Sequence, residues 1–445
     1  MSLDREQPKA HPVLSIEDLI AYFRTAERPS SKHQLGLEHE KFIYPVASAH
    51  PVPYQGDSGI GALLARLQSY GYQPFRESPE QPVIALTREA ETISLEPGGQ
   101  VELSGTPSVT ARGVHGENQR HLSELRASCT ELGLRTVAMG YRPFGTVAEM
   151  PWMPKTRYAA MRQTLSSRGR LALHMMLMTA TGQVSLDWAD EADCVRKTVA
   201  IARLSPVMVA LYANSPLVNG RPSGLMSYRS HVWTEVDPAR CGFLPSMFDG
   251  SFSYRAYVEW GLDAPLLFLR RRDQYLLPKM TFRQLLAEGF EGERARDSDW
   301  VDHLSTLFPE VRLKKVIEVR GADCVSVALT GGLAALWRGL LYDATALAEA
   351  EALVPKFSYA EHLEFAAAAR TRGLRGTFRR VPFAEMGKAL VEIARRGLMR
   401  LDPDDAPLLE PLRQIAVEGR SPAEEVLAQW RKDPDPVRLL DRFKL

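Results

Sequence analysis

The sequence predicts an α+β fold, with helices gathered around an antiparallel sheet, and three observations support it. Short segments with period-two alternation are interleaved with longer stretches of helical periodicity. No strand–helix–strand rhythm of the kind that builds a doubly wound parallel sheet runs through the chain. Neither a G-x-x-x-x-G-K-[ST] loop nor a G-x-G-x-x-G turn after a strand is present, so any nucleotide is bound without those phosphate cradles.

The elements follow in order. Ser15 precedes Ile16-Glu17-Asp18-Leu19 and reads as a helix N-cap, with Asp18 at the capping-box position. Gly36–Tyr44 alternates as a strand. Thr92–Glu96 and Gln100–Ser104 read as strands flanking a Pro97-Gly98-Gly99 turn. Asn118–Leu132 places Leu122, Leu125, Cys129 and Leu132 on one helical stripe. Gly182–Trp188 alternates again. Ala192–Ala213 is helical in pattern, and Pro206 predicts a kink or a break in it. Val316–Arg320 is the last strand, and Leu333–Leu353 reads as one Ala/Leu-rich helix. The final hundred residues read as helices broken at Gly373, Gly376 and the Pro403/Pro407 region. The expected organisation is a main unit over 1–345 and a helical extension over 346–445 packed on the same unit.

Composition narrows the function. At 445 residues, 45% hydrophobic and 24% charged, the chain can bury a large core without disulfides. Lys and Arg (55) nearly cancel Asp and Glu (54), which points to neither nucleic acid nor an anionic membrane as a partner. Cys129, Cys194, Cys241 and Cys324 form no C-x-x-C pair, against both a zinc knuckle and a secreted disulfide scaffold. The N-terminal MSLDREQPKAHPVLS lacks an apolar stretch, and no run approaches the roughly 20 apolar residues that span a bilayer. A cytoplasmic protein is expected.

Strand parity gathers the acids. Residues i and i+2 share a face, so Glu38 and Glu40 lie side by side in GLEHEKF, with His39 opposite. Glu96 enters the Pro97-Gly98-Gly99 turn and Glu102 returns beside Gln100. Gln183, Ser185 and Asp187 share a face, as do Glu318 and Arg320. A solvated sheet face is the plain alternative for any single pair. Such faces usually mix Lys with Glu, whereas these are nearly all Glu and Gln, and opposed like charges destabilise a sheet. A cation relieves that repulsion. All-oxygen donors suit Mg²⁺ or Mn²⁺ better than zinc, and several ions shared with substrate phosphates would explain so many acids. A glycosidase needs only two carboxylates, and ranks below metal–phosphate chemistry here.

The words GLEHEKF (36–42), ISLEPGGQVELSGTP (93–107), MPKTRY (153–158), QVSLDW (183–188), ANSP (213–216), SYRSHVWTEVDPARCGFLP (227–245), FPEVRLKKVIEVRGAD (308–323) and LLYD (340–343) together resemble the plant-type glutamate–cysteine ligases, also widespread in bacteria. The resemblance implies a glutamine-synthetase-like funnel of antiparallel sheet ringed by helices. It implies metal ligands at Glu38, Glu40, Glu96, Glu102 and Glu318, with Gln183 near them, holding two or three Mg²⁺ ions against ATP. Arg229, Trp233 and Arg157 fall at glutamate-pocket positions, and Arg320 beside Glu318 is placed to steady the transferred phosphoryl group. An arginine grips carboxylate or phosphate bidentately and keeps its charge. Alternation sends Lys314 and Lys315 to opposite faces, so at most one reaches nucleotide phosphates, and Lys315 is assigned that role. His231 reads as a structural hydrogen-bonding residue.

The implied reaction is ATP-dependent ligation of the γ-carboxylate of glutamate to the amine of cysteine through γ-glutamyl phosphate, as in the first step of glutathione-type thiol synthesis. Glutamate, cysteine and ATP are then the partners of a monomer or homodimer. A same-fold ligase with another amine acceptor, and a scaffold that binds without catalysis, are the rivals. Positions aligned with two redox-regulatory plant cysteines hold His115 and Pro278, so thiol switching is not carried over.

Overall fold

The computed structural model describes residues 11–445 apart from Leu14 and Asp273. Among these residues the alternating segments assemble one nine-stranded sheet. Its strands are β1 (Leu35–Pro45), β2 (Gln73–Phe75), β3 (Ala85–Arg88), β4 (Glu91–Leu95), β5 (Val101–Ser104), β6 (Leu134–Val137), β7 (Gly182–Leu186), β8 (Val311–Leu313) and β9 (Ile317–Val319). They lie in the order β8-β9-β7-β1-β5-β4-β3-β2, with β6 paired to the far end of β1. All of these pairings are antiparallel. The strand expectations hold to within two residues at each end; β2, β3, β6 and β8 are short and carry no clear alternation, which hid them in the sequence.

The helices are set by their caps. Helix α1 (Ile16–Arg24) starts at Ser15 with the expected capping box through Asp18. Helix α2 (Ala111–Glu131) begins seven residues before its apolar stripe would suggest. The carboxylate of Asp405, nearly 300 residues along the chain, accepts from the backbone N–H groups of Ala111 and Arg112 and so caps its first turn. Helix α3 (Glu191–Tyr212) runs through Pro206 as one element. Its second half is buried almost throughout, and packing outweighs the lost backbone bond. The expected single helix over Leu333–Leu353 is two, α4 (Val327–Leu341) and α5 (Ala344–Leu353). Asp343 caps the second by accepting from Ala346 N at 2.7 Å.

One face of the sheet is apolar. Leu35, Leu37, Val184 and Leu186 point to it and pack under α2 and α4 in the main core. The C-terminal helix α6 (Phe383–Leu401) enters the same core beside α3 and α4, with Leu390 and Leu398 alongside Leu336. Its approach to α4 is close enough that a Cβ at Gly397 would lie 2.0 Å from the Gly339 carbonyl oxygen, so no side chain fits there. Residues on either side of position 345 therefore share one apolar interior. The other face of the sheet carries the acids. Among the described residues no helix is long and apolar enough to cross a membrane.

Candidate active site

The register of the sheet brings the acids of separate segments onto one face. In β1, Glu38 pairs with Ser104 of β5 on one side and Gln183 of β7 on the other. Glu40 stands directly opposite Glu102. Glu318 of β9 pairs with Ser185 of β7 and with Arg312 of β8. Glu38, Glu40, Glu96, Glu102 and Gln183 line one cavity with Gln100, Arg229, Trp233, Arg312 and Arg320. Four of the five acids that strand parity grouped thus line one cavity, and Glu318 does not line it but is buried against Arg312 and Arg320, which do. Glu40, Glu102, Gln183 and Glu318 are buried. His39, on the opposite face as expected, hydrogen-bonds Asn118 and the Val325 carbonyl.

Local structure fixes each carboxylate. Gly99 adopts φ +82°, and a Cβ at Gly98 would meet the Leu177 carbonyl oxygen at 2.2 Å, so only this Gly-Gly pair allows the turn that aims Glu96 inward. Glu40 accepts from Thr181 N at 3.0 Å, and Glu102 accepts from Ser104 Oγ at 2.9 Å. Gln100 donates to the Thr179 carbonyl at 2.7 Å.

Glu318 differs from the rest. Arg312 (2.6 Å), Lys314 (2.5 Å) and Arg320 (3.4 Å) all reach its carboxylate. Burial alone would raise its pKa, but those cations hold it well below the ordinary carboxylate range. Glu38, Glu40 and Glu96 go the opposite way. Burial, then Glu96 and Glu102, push Glu40 well up, and burial with Glu102 raises Glu96 to about 7. Burial also raises Glu38, with Glu102 and Glu318 adding to it. Burial and the neighbouring Arg312 bring Arg320 down to about 10, which leaves it cationic at neutral pH.

The arginines divide into two sets. Arg229 is buried on the short helix Tyr228–Trp233, donates to the Arg320 carbonyl at 2.9 Å and lies 6.0 Å from the Trp233 ring centroid. Arg320 donates to Gln183 Oε1 at 2.5 Å and stands 5.6 Å over the same ring. Arg157 sits at the edge, hydrogen-bonded to Ser305, and the cavity itself is lined by its neighbour Tyr158. Lys315 is exposed, with its ammonium over the Tyr22 ring, while Lys314 is the lysine that contacts Glu318. His231 packs on the Tyr228 ring, and the hydrogen bond at that position is made by its backbone carbonyl.

Sequence reasoning missed Arg312, Tyr158, Gln100 as a lining residue, and Met161, Met175 and Met176 in the wall, as well as Lys155 just behind it. Only Arg312 had a readable signal: its pairing with Glu318 follows from the tight hairpin between β8 and β9. Lys155 and Tyr158 both donate to the Leu95 carbonyl, a contact between distant segments that no local pattern announces.

A divalent ion fits this donor set, though no group of three or more His, Cys, Asp or Glu side chains among the described residues is disposed, as it stands, to hold one. The donors are oxygens throughout. Glu96 Oε1 and Gln100 Oε1 are buried without a hydrogen-bond partner. Buried acids facing one another ionise together only when a cation stands among them.

The large antiparallel sheet ringed by helices is a fold this chain shares with a solved glutamate–cysteine ligase. The solved glutamate–cysteine ligase of Francisella tularensis, in complex with AMP, superposes with a TM-score of 0.56 over 92% of this chain and 87% of that one, at 12% identity. The bifunctional glutathione synthetase of Pasteurella multocida gives 0.51 over 96% of this chain and 52% of its own, also at 12% identity. The family model for glutamate–cysteine ligase family 2 matches residues 34–438, and the chain belongs to that family. It is 37% identical over 432 residues to the chloroplastic glutamate–cysteine ligase of Arabidopsis thaliana, spanning 95% of this chain and 82% of the relative. The corresponding protein of Nicotiana tabacum is 35% identical over 433 residues, 95% and 82% of the two chains. All four cysteines are free thiols, and none sits at position 115 or 278.

Proposed function

We propose that this chain joins the γ-carboxylate of glutamate to the amine of cysteine, with ATP converted to ADP and phosphate. Membership of the family supports the reaction. The observation that carries its assignment to this site is the convergence of Glu38, Glu40, Glu96 and Glu102 on one cavity with Arg229 and Arg320.

Phosphoryl transfer rests on positioning and electrostatics, and the residues divide accordingly. Arg229 grips a glutamate carboxylate: its Nε is buried without a partner, and the Trp233 ring holds its plane. Arg157 stands at the edge of the same pocket, held to Ser305, which lines it. Arg320, fixed by Gln183 and Glu318, meets the charge that builds on the transferring phosphoryl oxygens. Lys314, beside Glu318, serves the nucleotide phosphates in place of Lys315. Mg²⁺ ions, or Mn²⁺, held by Glu38, Glu40, Glu96, Glu102 and Glu318 with Gln183 beside them, would offset the triphosphate charge when bound. The γ-carboxylate attacks the terminal phosphorus, and the amine of cysteine then displaces phosphate from the γ-glutamyl phosphate. The chain supplies orientation and charge throughout, and no side chain forms a covalent intermediate. With four free cysteines and a formal net charge of +1, we assign the enzyme to the cytoplasm.

The test is ADP release by purified protein with glutamate plus cysteine, compared with alanine, 2-aminobutyrate and ammonia. Cysteine should give the highest kcat/KM. A protein that turns over another amine equally well has a different acceptor.

A further inference from the structure

A second cavity, of about 760 Å³, lies between the segments around Asn214 and Val325 and the C-terminal helices. That volume is within the range of small-molecule sites. Its lining shares no residue with the acid-lined cavity.

Asn214 is 4% exposed and lines it. Its Nδ2 donates to the carbonyls of Ala138 (3.0 Å) and Cys324 (2.8 Å), which fixes which way the amide points. The Oδ1 is left buried without a donor. Glu424, at the start of the helix Pro422–Lys432, accepts from Ser421 Oγ through Oε2, and its Oε1 is likewise buried without a hydrogen bond. Arg375 stands 3.8 Å from that oxygen, outside hydrogen-bond range. Two residues lining the cavity thus each carry a buried acceptor without a hydrogen bond, the second ion-paired to Arg375, and a ligand that donates would complete them.

The charges lining the cavity refine the choice. Arg375, Arg420, Arg442 and Lys444 are nearly matched by Glu418, Glu424 and Glu425. A nucleotide or other polyanion would need a surplus of cations. Near-balance suits a molecule with both an ammonium and a carboxylate, the first on Asn214 Oδ1 and Glu424 and the second on Arg420, since Arg375 and Arg442 already pair with Glu424 and Glu425.

The cavity is also wired to the acid-lined site. Asn214 N donates to Asp323 Oδ2 at 2.7 Å. The same carboxylate accepts from Ser215 Oγ at 2.6 Å and Ser227 Oγ at 2.8 Å. Ser215 Oγ accepts from Arg229 N, and Ser227 caps the helix that carries Arg229. Next to Asp323, Cys324 Sγ donates to the Glu40 carbonyl at 2.9 Å. One buried carboxylate thus seats both the cavity floor and the arginine of the glutamate pocket.

We propose that this second cavity binds a small zwitterion, an amino acid or short peptide, and that its occupancy is felt at Arg229 through Asn214 and Asp323. The experiment is calorimetric titration of the full chain with each standard amino acid and with diglycine, in the presence of saturating glutamate and cysteine and without ATP, with those two themselves scored by stoichiometry. At least one probe should bind at a site separate from glutamate, and bind about tenfold more weakly to Glu424→Gln, whose turnover without the probe is retained. Arg420→Ala, on an exposed side chain, provides a second variant should the first disturb the helix cap. The same probe should shift the KM for glutamate by about fivefold in the wild type and not in the variants. Failure of every probe to bind beyond the glutamate site, or binding unchanged in both variants, overturns the site. Binding that leaves the KM untouched overturns the relay. The calorimetric arm involves no turnover, so it stands or falls separately from the proposed ligase reaction.

Discussion

Glu40 and Glu102 stand directly opposite one another across the β1–β5 pairing, both buried, with the raised Glu96 beside them. Like charges so placed destabilise the sheet that carries them. Their retention is intelligible when a divalent cation and its phosphates complete the site.

Replacing Glu40 by Gln can keep the bond from Thr181 and removes its repulsion with Glu102. The metal-free variant should be as stable as the wild type or up to about 1 kcal/mol more stable, while kcat falls by roughly two orders of magnitude or more. Urea melts and steady-state ADP release check both arms. A variant that loses stability and keeps its activity would place Glu40 in the architecture alone.

Ligand linkage gives the complementary result. Mg²⁺ and ATP together at about 100 times their dissociation constant should add roughly 2.7 kcal/mol to the stability of the wild type. The gain should shrink in Glu96→Gln. Thermal melts with ATP alone, Mg²⁺ alone and both provide the comparison, and equal gains from ATP with and without Mg²⁺ would remove the metal from the account.

Glu318→Leu should cost both stability and activity, because it strands Arg312, Lys314 and Arg320 around an uncharged side chain. Breaking a buried ion cluster of this kind typically costs about 3–5 kcal/mol. Glu40→Gln and Glu318→Leu are therefore expected to move stability in opposite directions, although both acids lie on the same sheet face.

For Arg229→Lys the backbone network through Ser215 and Asp323 survives and the planar grip is lost. A KM for glutamate raised at least about tenfold, with that for ATP little changed, is the expected outcome. An unaltered glutamate KM would locate the grip elsewhere.

Much of this site was legible because a strand has a strict period of two. GLEHEKF, LEPGGQVEL and IEVRG each announce which acids share a face, and the Gly98-Gly99 pair announces the turn between two of them. What parity could not announce was contact between distant segments. Asp405 capping α2, Lys155 reaching the Leu95 carbonyl and Arg229 leaning on the Arg320 carbonyl are made by tertiary packing. Parity alone could not choose between Lys314 and Lys315, because β8 and β9 meet in a tight hairpin that turns Lys314 to Glu318 and leaves Lys315 exposed. The break at Asp343 was missed because Ala/Leu-rich sequence on both sides masks a single capping residue.

Acid should weaken the fold through buried neutral histidines away from the site. His362 is enclosed by Phe243, Phe248 and Phe365, and burial, with Arg203 adding to it, lowers its pKa to about 3. Its folded pKa lies below the unfolded value of about 6.5, so its contribution is intact above pH 6.5 and is lost as pH falls toward 3. The loss is on the order of a few kcal/mol. His362→Leu should flatten the dependence of stability on pH between 6.5 and 4.5, measured by urea melts; an unchanged slope would assign the acid sensitivity to other groups.

The most direct measurement is the mass of the product made by purified protein from glutamate, cysteine and ATP, with and without Mg²⁺. The account predicts γ-glutamylcysteine and one ADP for each product molecule, formed only with the divalent ion present. No γ-glutamylcysteine, or the same yield after complete chelation, would contradict it.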